Sequence, residues 1–228
     1  MITTDQLTLE FDHRPALSGE DFLVAPNNSQ AVGWIDRWPE WPSPALCIFG
    51  PSGCGKSHLA EVLRSKTNAI ILNIERLSGP YHPPPANTVI IEDIDQVLTT
   101  RHEQGLFHLY NDLKEQGGSL LINAIAPPSR WNIELADLRS RMIAANVVEI
   151  TPPDDALIAA VLVKLFQDRQ LRVSGDVITY AVPRMERSFS AARQLVDVTD
   201  RIALSEKKRI TVPLIKRVLN MTENEGEK

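Results

Sequence analysis

The chain has 228 residues, of which 43% are hydrophobic and 23% charged, with a net charge of −5. That length suits one α/β domain with a small appendage, and the composition is that of an ordinary globular protein. No apolar run approaches the roughly 20 residues of a membrane span and the N-terminus lacks a basic-then-apolar signal pattern, so a cytoplasmic protein without membrane attachment is expected.

Residues 1–17 show no helical period and read as an extended tail. Asn27-Asn28 offers a cap for a short helix through Ala31, Val32 and Ile35. Four prolines between Pro39 and Pro51 punctuate the approach to and exit from the apolar run Ala45–Phe49, which is short, as a buried parallel strand is. Strand and helix then alternate. The pattern predicts a helix over 56–66, a strand over Ala69–Asn73, a proline-rich loop over Tyr81–Asn87 and a strand over Thr88–Ile91. A helix follows over His102–Gln116, stopped by Gly117-Gly118, then a strand over Leu120–Ile122, a helix over Ile133–Met142 and a strand over Val147–Ile150. Such alternation implies a five-stranded parallel sheet covered by helices on both faces.

After Ile150 the pattern is helical. Thr151-Pro152-Pro153-Asp154 predicts a helix start, with the threonine hydroxyl as cap and proline in the first turn. Helices are expected through Leu157, Val161 and Leu165, around Val177–Ala181, through Leu195, Val196 and Ile202, and through Leu214, Ile215 and Val218. The organisation read from this is a tail (1–17), an α/β base domain (18–151) and an all-helical domain (152–228). Cys47 and Cys54 lack metal-ligand spacing, and no disulfide is expected.

Gly50-Pro51-Ser52-Gly53-Cys54-Gly55-Lys56-Ser57 satisfies GxxxxGK[ST], for which average residue frequencies give a chance match in roughly one such chain in a hundred. The glycines let backbone N–H groups curl around a phosphate at the positive end of the following helix. Lys56 is placed to reach the β- and γ-oxygens of ATP or ADP, and the Ser57 hydroxyl to bind Mg²⁺. The strand Thr88–Ile91 ends in Glu92-Asp93, the Walker B arrangement, which assigns Glu92 to Mg²⁺ and Asp93 to orienting the attacking water. The usual order is Asp then Glu; the inversion displaces the water-orienting group, so intrinsic hydrolysis is expected to be weak. A ligand-free loop and a solvated strand end are the duller readings of these two segments.

Taken together, these motifs resemble the AAA+ module of the DnaA/Hda family, over about residues 5–220. GPSGCGKSHL looks like the initiator-type loop, with His58 following the hydroxyl residue. The segment Leu120–Trp131 resembles the family's sensor 1 strand and its Pro-Pro exit, which implies that Asn123 contacts the γ-phosphate or the attacking water. Leu138–Met142 is similar to the segment bearing the arginine finger, with Arg141 on the finger position. Arg193, with Arg201 eight residues later, falls on sensor 2 of a helical lid. Each has a plainer competitor: Arg139, Arg141 and Arg193 as surface charges, and Asn123 as a turn cap.

Two features favour the short, Hda-like branch. The chain stops just after the lid, so the initiator's DNA-binding domain is expected to be absent. Also, Gln6-Leu7-Thr8-Leu9-Glu10-Phe11 resembles the peptide by which bacterial proteins dock on the sliding clamp, with Gln6 at the groove mouth and Leu7, Leu9 and Phe11 in an apolar pocket. An edge strand shows the same alternation. The resemblance implies a regulator that docks on the clamp and stimulates ATP hydrolysis by DnaA, with a homo-oligomer allowed. The acidic balance, and no basic block longer than Lys207–Arg209, argue against autonomous sequence-specific DNA binding. A DNA-binding helper ATPase (a helicase loader or transposition partner) and a small-molecule P-loop kinase are the rival readings.

Overall fold

The computed structural model describes residues 13–14 and 22–225. The chain divides into two compact units, one spanning His13–Thr151 and the other containing Pro152–Lys228. The peptide Gln6–Phe11 lies outside the described residues.

The first unit begins with a short antiparallel pair, β1 (His13–Arg14) and β2 (Phe22–Leu23). Helix α1 (Ser29–Asp36) follows. Asn28 precedes it, but its side chain accepts a bond from Ala25 N instead of capping the helix. Strand β3 (Ala45–Phe49) and helix α2 (Lys56–Thr67) flank the glycine-rich loop. Then come β4 (Ile70–Ile71), β5 (Thr88–Ile91), the single helical turn α3 (Ile94–Val97) and α4 (Thr100–Glu115). Strand β6 (Ser119–Ala124), α5 (Ala136–Ile143) and β7 (Asn146–Glu149) complete the unit.

The sheet is five-stranded, in the order β4-β5-β6-β3-β7, and its pairings are parallel. Strand β3 lies inside the sheet, between β6 and β7, and is apolar throughout, with Ala45, Leu46, Cys47 and Ile48 all at 0% exposure. Alternate residues face opposite sides of a strand. Accordingly Cys47, Val89, Ile91 and Ile122 join one core with Leu106 and Leu109 of α4, while Ile48, Ile90 and Leu121 join another with Leu59 and Leu63 of α2.

Several boundaries differ from the sequence reading, and three of the differences have a visible cause. β4 is only two residues long because the Asn73 side chain caps a 3₁₀ turn at Ile74–Leu77, diverting the chain. α5 begins at Ala136 instead of Ile133; Glu134 N and Leu135 N are bound by the distant Glu103 carboxylate, which holds the preceding segment extended.

In the second unit, α6 (Asp155–Asp168), α7 (Gly175–Ala181), α8 (Phe189–Glu206) and α9 (Val212–Glu225) enclose a core including Leu162, Phe166, Val177, Leu195, Ile215 and Val218. The third difference lies at its start. Asp154, and not Thr151, caps α6, its Oδ1 accepting from Leu157 N at 2.7 Å. Pro153 disfavours helical geometry in the residue before it, so both prolines precede the cap. Ser188 caps α8 similarly, through Ala191 N, and an ion pair from Arg169 to Asp197 ties α6 to α8. No helix of the described residues is long and apolar enough to cross a membrane.

Candidate functional site

The loop between β3 and α2 owes its shape to three glycines with positive φ, Gly50, Gly53 and Gly55. A side chain at Gly50 would put its Cβ 2.2 Å from the Ile150 carbonyl oxygen, so only glycine allows the ends of β3 and β7 to approach this closely. Gly55 takes φ 108° as the residue before α2, a conformation L side chains rarely adopt. The first turn of α2 contains no acidic residue, which leaves the positive end of the helix dipole without a carboxylate of its own.

Lys56 is 6% exposed. Its Nζ donates to the carbonyls of Gly50 (2.8 Å) and Pro51 (2.9 Å), so the loop's own main chain holds the ammonium group. Pro51, Ser52 and Ser57 are exposed, Gly53 and His58 half-buried, and Cys54 buried. Burial pushes the Cys54 thiol above its usual range, with the Lys56 charge opposing, and pushes Cys47 up to about 12, the Asp95 carboxylate adding in the same direction. Both are free cysteines, and as thiols they are poor nucleophiles.

Parallel register brings the acidic strand end to β6. Ile91 pairs with Ile122, so Glu92 comes level with Asn123. One oxygen, Glu92 Oε2, accepts from Ser57 Oγ at 2.9 Å and from Asn123 Nδ2 at 2.9 Å. Asn123 is fully buried, and its Oδ1 has no hydrogen-bond partner. A carboxylate and a hydroxyl at hydrogen-bonding distance beside a loop of main-chain amides form an oxygen donor set that fits a hard divalent cation shared with a phosphate. The chemistry of the set therefore fits Mg²⁺ with a nucleoside di- or triphosphate. Asp93 is exposed in the left-handed conformation (φ 46°) at the turn into α3, and its side chain makes no capping bond.

Of the other residues singled out from sequence, Arg141 lies in the same unit but on α5. Its guanidinium stacks over Phe107 (4.9 Å from Cζ to the ring centroid) and Tyr110 (5.3 Å) of α4. Arg193 is on an exposed position of α8, in the second unit.

Two contributions were not legible in the motifs. Asp95 accepts from Ile125 N (3.1 and 3.0 Å) and Ala126 N (2.8 Å), clamping the turn that leaves β6. Glu103, 3% exposed, binds the segment entering α5. Its spacing from Phe107 and Tyr110, at i, i+4 and i+7, was the available signal, since these positions share a helix face.

A P-loop entering a helix, an acid at the end of the adjacent-but-one strand, and this strand order define a P-loop nucleoside-triphosphatase fold of the AAA+ type. Comparison with known proteins narrows the class. The family model of the Hda lid domain matches residues 155–219. An uncharacterised protein of Haemophilus influenzae is 25% identical over 195 residues, covering 78% of this chain and 82% of that protein. The replication initiator DnaA of Campylobacter jejuni is 22% identical over 231 residues, covering 90% of this chain and 52% of the initiator; the chain thus spans about half the length of that relative. Domain III of Thermotoga maritima DnaA superposes with a TM-score of 0.76 at 17% identity, over 87% of this chain and 93% of that one. AMPPCP-bound DnaA from Aquifex aeolicus superposes with a TM-score of 0.69 at 14% identity, over 89% and 68%. The chain thus has the AAA+ fold, is similar to DnaA over most of its length and resembles the Hda lid over residues 155–219.

Proposed function

We propose that this chain is an ADP- or ATP-binding regulator of chromosome replication initiation that inactivates DnaA by stimulating its ATP hydrolysis. Its own nucleotide serves mainly to set the conformation. Lys56, the loop amides of Gly50–Gly55 and the start of α2 bind the phosphates, Ser57 and Glu92 hold Mg²⁺, and Asn123 fixes the Glu92 carboxylate. Asp93 occupies the water-orienting position, and its exposed, left-handed setting agrees with weak intrinsic turnover. Arg193 serves as the lid's phosphate sensor.

Arg141 is the group presented to ATP held by DnaA. Positive charge at a transferring phosphoryl group is worth about 10³–10⁵ in rate. Docking on the DNA-loaded sliding clamp, through Gln6, Leu7, Leu9 and Phe11, concentrates the regulator at replicating DNA. The observation that carries the reading is the match of the helical unit to the Hda lid, on a chain whose other unit brings Ser57, Glu92 and Asn123 together.

The test is reconstituted DnaA–ATP hydrolysis with clamp loaded on DNA. The wild-type chain is expected to accelerate hydrolysis, Arg141→Ala to bind ADP normally but fail to accelerate it, and Gln6→Ala/Phe11→Ala to lose clamp binding. Stimulation by the Arg141→Ala protein equal to wild type would remove the finger assignment, and unchanged clamp binding would remove the peptide's role. A helper ATPase would instead bind single-stranded DNA with affinity falling steeply in salt.

A further inference from the structure

Helix α5, which carries Arg141, is gripped at both ends by one face of α4. At its start, Leu135 stands in the capping position without a side-chain cap of its own. The missing acceptor comes from α4: Glu103 accepts from Glu134 N at 3.0 Å and Leu135 N at 2.6 Å. One and two turns further along α4, Phe107 and Tyr110 receive the Arg141 guanidinium on their rings. Arg141 Nε is buried and has no hydrogen-bond partner, and a ring face is the acceptor such a group can use.

The chemistry of this seat differs from that of the arginines held in ion pairs. Arg64, Arg101, Arg187 and Arg217 each lie against a carboxylate. Among the described residues, Arg37 and Arg184 also lie over a ring, but each over one residue three or four positions back in sequence (Trp34 and Tyr180), whereas Arg141 lies against two rings of a different helix and no carboxylate. A carboxylate would neutralise the guanidinium and compete with phosphate oxygens for its N–H donors. A ring quadrupole fixes the plane of the cation and leaves its charge and outer N–H edge available.

We infer that Glu103, Phe107 and Tyr110 are positioning residues for Arg141, Glu103 setting the helix and the two rings setting the guanidinium plane for a phosphate on a second protein. The inference rests on the finger reading of Arg141 given above.

The test separates the seat from both general stability and the finger itself. Phe107→Leu/Tyr110→Leu keeps apolar volume and removes the rings; Phe107→Tyr and Tyr110→Phe keep them. Each is compared with wild type for maximal stimulation of DnaA hydrolysis, the concentration giving half of it, ADP affinity and the Arg141 Nε–H resonance. In wild type that resonance is expected to be shifted upfield by the rings and slow to exchange. In the double-leucine variant it is expected at the ordinary arginine position. Maximal stimulation is expected to fall on the order of ten- to a hundredfold, as for an angstrom-scale misplacement, with half-saturation and ADP affinity held within about twofold. The aromatic exchanges are expected to retain stimulation, and Glu103→Gln to lower its maximum.

Full stimulation by the double-leucine variant, with Arg141→Ala inactive, would overturn the seat and leave the finger standing. Stimulation by Arg141→Ala would overturn the finger reading and this inference with it. An unshifted, fast-exchanging Arg141 resonance in wild type would overturn the seat even if the leucine variant fails to fold.

Discussion

Replacing Gly50 with alanine tests whether the loop is held as described. The new Cβ would lie 2.2 Å from Ile150 O and 3.1 Å from Cys54 Sγ, about 1 Å inside the closest approach a carbon makes to an oxygen. The ends of β3 and β7 must then part, and they are joined here by the bond from Ile150 N to Phe49 O at 2.8 Å. Overpacking of this kind costs about 1–3 kcal/mol, and the positive φ of Gly50 adds about 1–3 kcal/mol for a residue with a side chain. At about 2–4 °C per kcal/mol, the melting temperature should fall by roughly 10 °C. The Gly50 carbonyl also holds Lys56, so an angstrom-scale shift should weaken ADP binding about tenfold or more. Thermal unfolding and calorimetric titration with ADP measure the two effects. Gly33→Ala is the control, since nothing lies within 4 Å of a Cβ there and alanine is favoured over glycine in a helix by about 1 kcal/mol. A Gly50→Ala protein with wild-type melting temperature and ADP affinity would refute this account of the loop.

Glu92→Gln keeps an oxygen for Ser57 and Asn123 but removes the charge; ADP affinity in chelator is expected to hold while the enhancement by Mg²⁺ disappears, and a persisting enhancement in titration would reassign the metal ligand. Asp95→Ala leaves the amides of Ile125 and Ala126 without their acceptor, which should cost about 1–3 kcal/mol in denaturant unfolding, with Asp95→Asn recovering part; equal stability of wild type and Asp95→Ala would show the clamp to be incidental. Burial raises the Cys47 thiol from 9.0 to about 12, so its contribution to stability is fully present below pH 9 and is lost as pH rises through that interval, at up to about 1.4 kcal/mol per pH unit. Cys47→Ala should flatten the alkaline fall in unfolding free energy, and an unchanged slope would show that another group causes it.

Features set by local chemistry were legible in the sequence. Strands Ala45–Phe49 and Thr88–Ile91 coincide with their apolar runs because both faces are buried and every residue is apolar or β-branched. The loop glycines and Lys56 are read from spacing because each answers to a backbone requirement. What the sequence concealed was settled at a distance or by competition between a local cap and a ladder. The start of α5 depends on Glu103, about thirty residues away, and the short β4 on competition between its ladder and the Asn73 cap. At the site, the Glu92–Asn123 contact follows from parallel register, which no single segment encodes. Arg141 was legible as a position only; that its partners are rings depends on how α4 and α5 pack.

The end of β6 joins the phosphate loop to the arginine. Gly50 N donates to Ala124 O, Asn123 holds Glu92, and Asp95 clamps the next two amides. Trp131 Nε1 then donates to Ala126 O at 2.8 Å, fastening the segment that leads to Glu134, Leu135 and α5. A change in Glu92 or the loop on nucleotide binding thus has a continuous bonded route to the Arg141 helix. Trp131→Phe breaks the route at one bond while keeping an aromatic ring in the core, at a cost of about 1–2 kcal/mol. ADP should still bind with wild-type affinity. In wild type ADP should move the Arg141 Nε–H resonance, and in Trp131→Phe that response should shrink. An Arg141 resonance indifferent to ADP in wild type, or equally responsive in the variant, would mean that the nucleotide site and the arginine act independently.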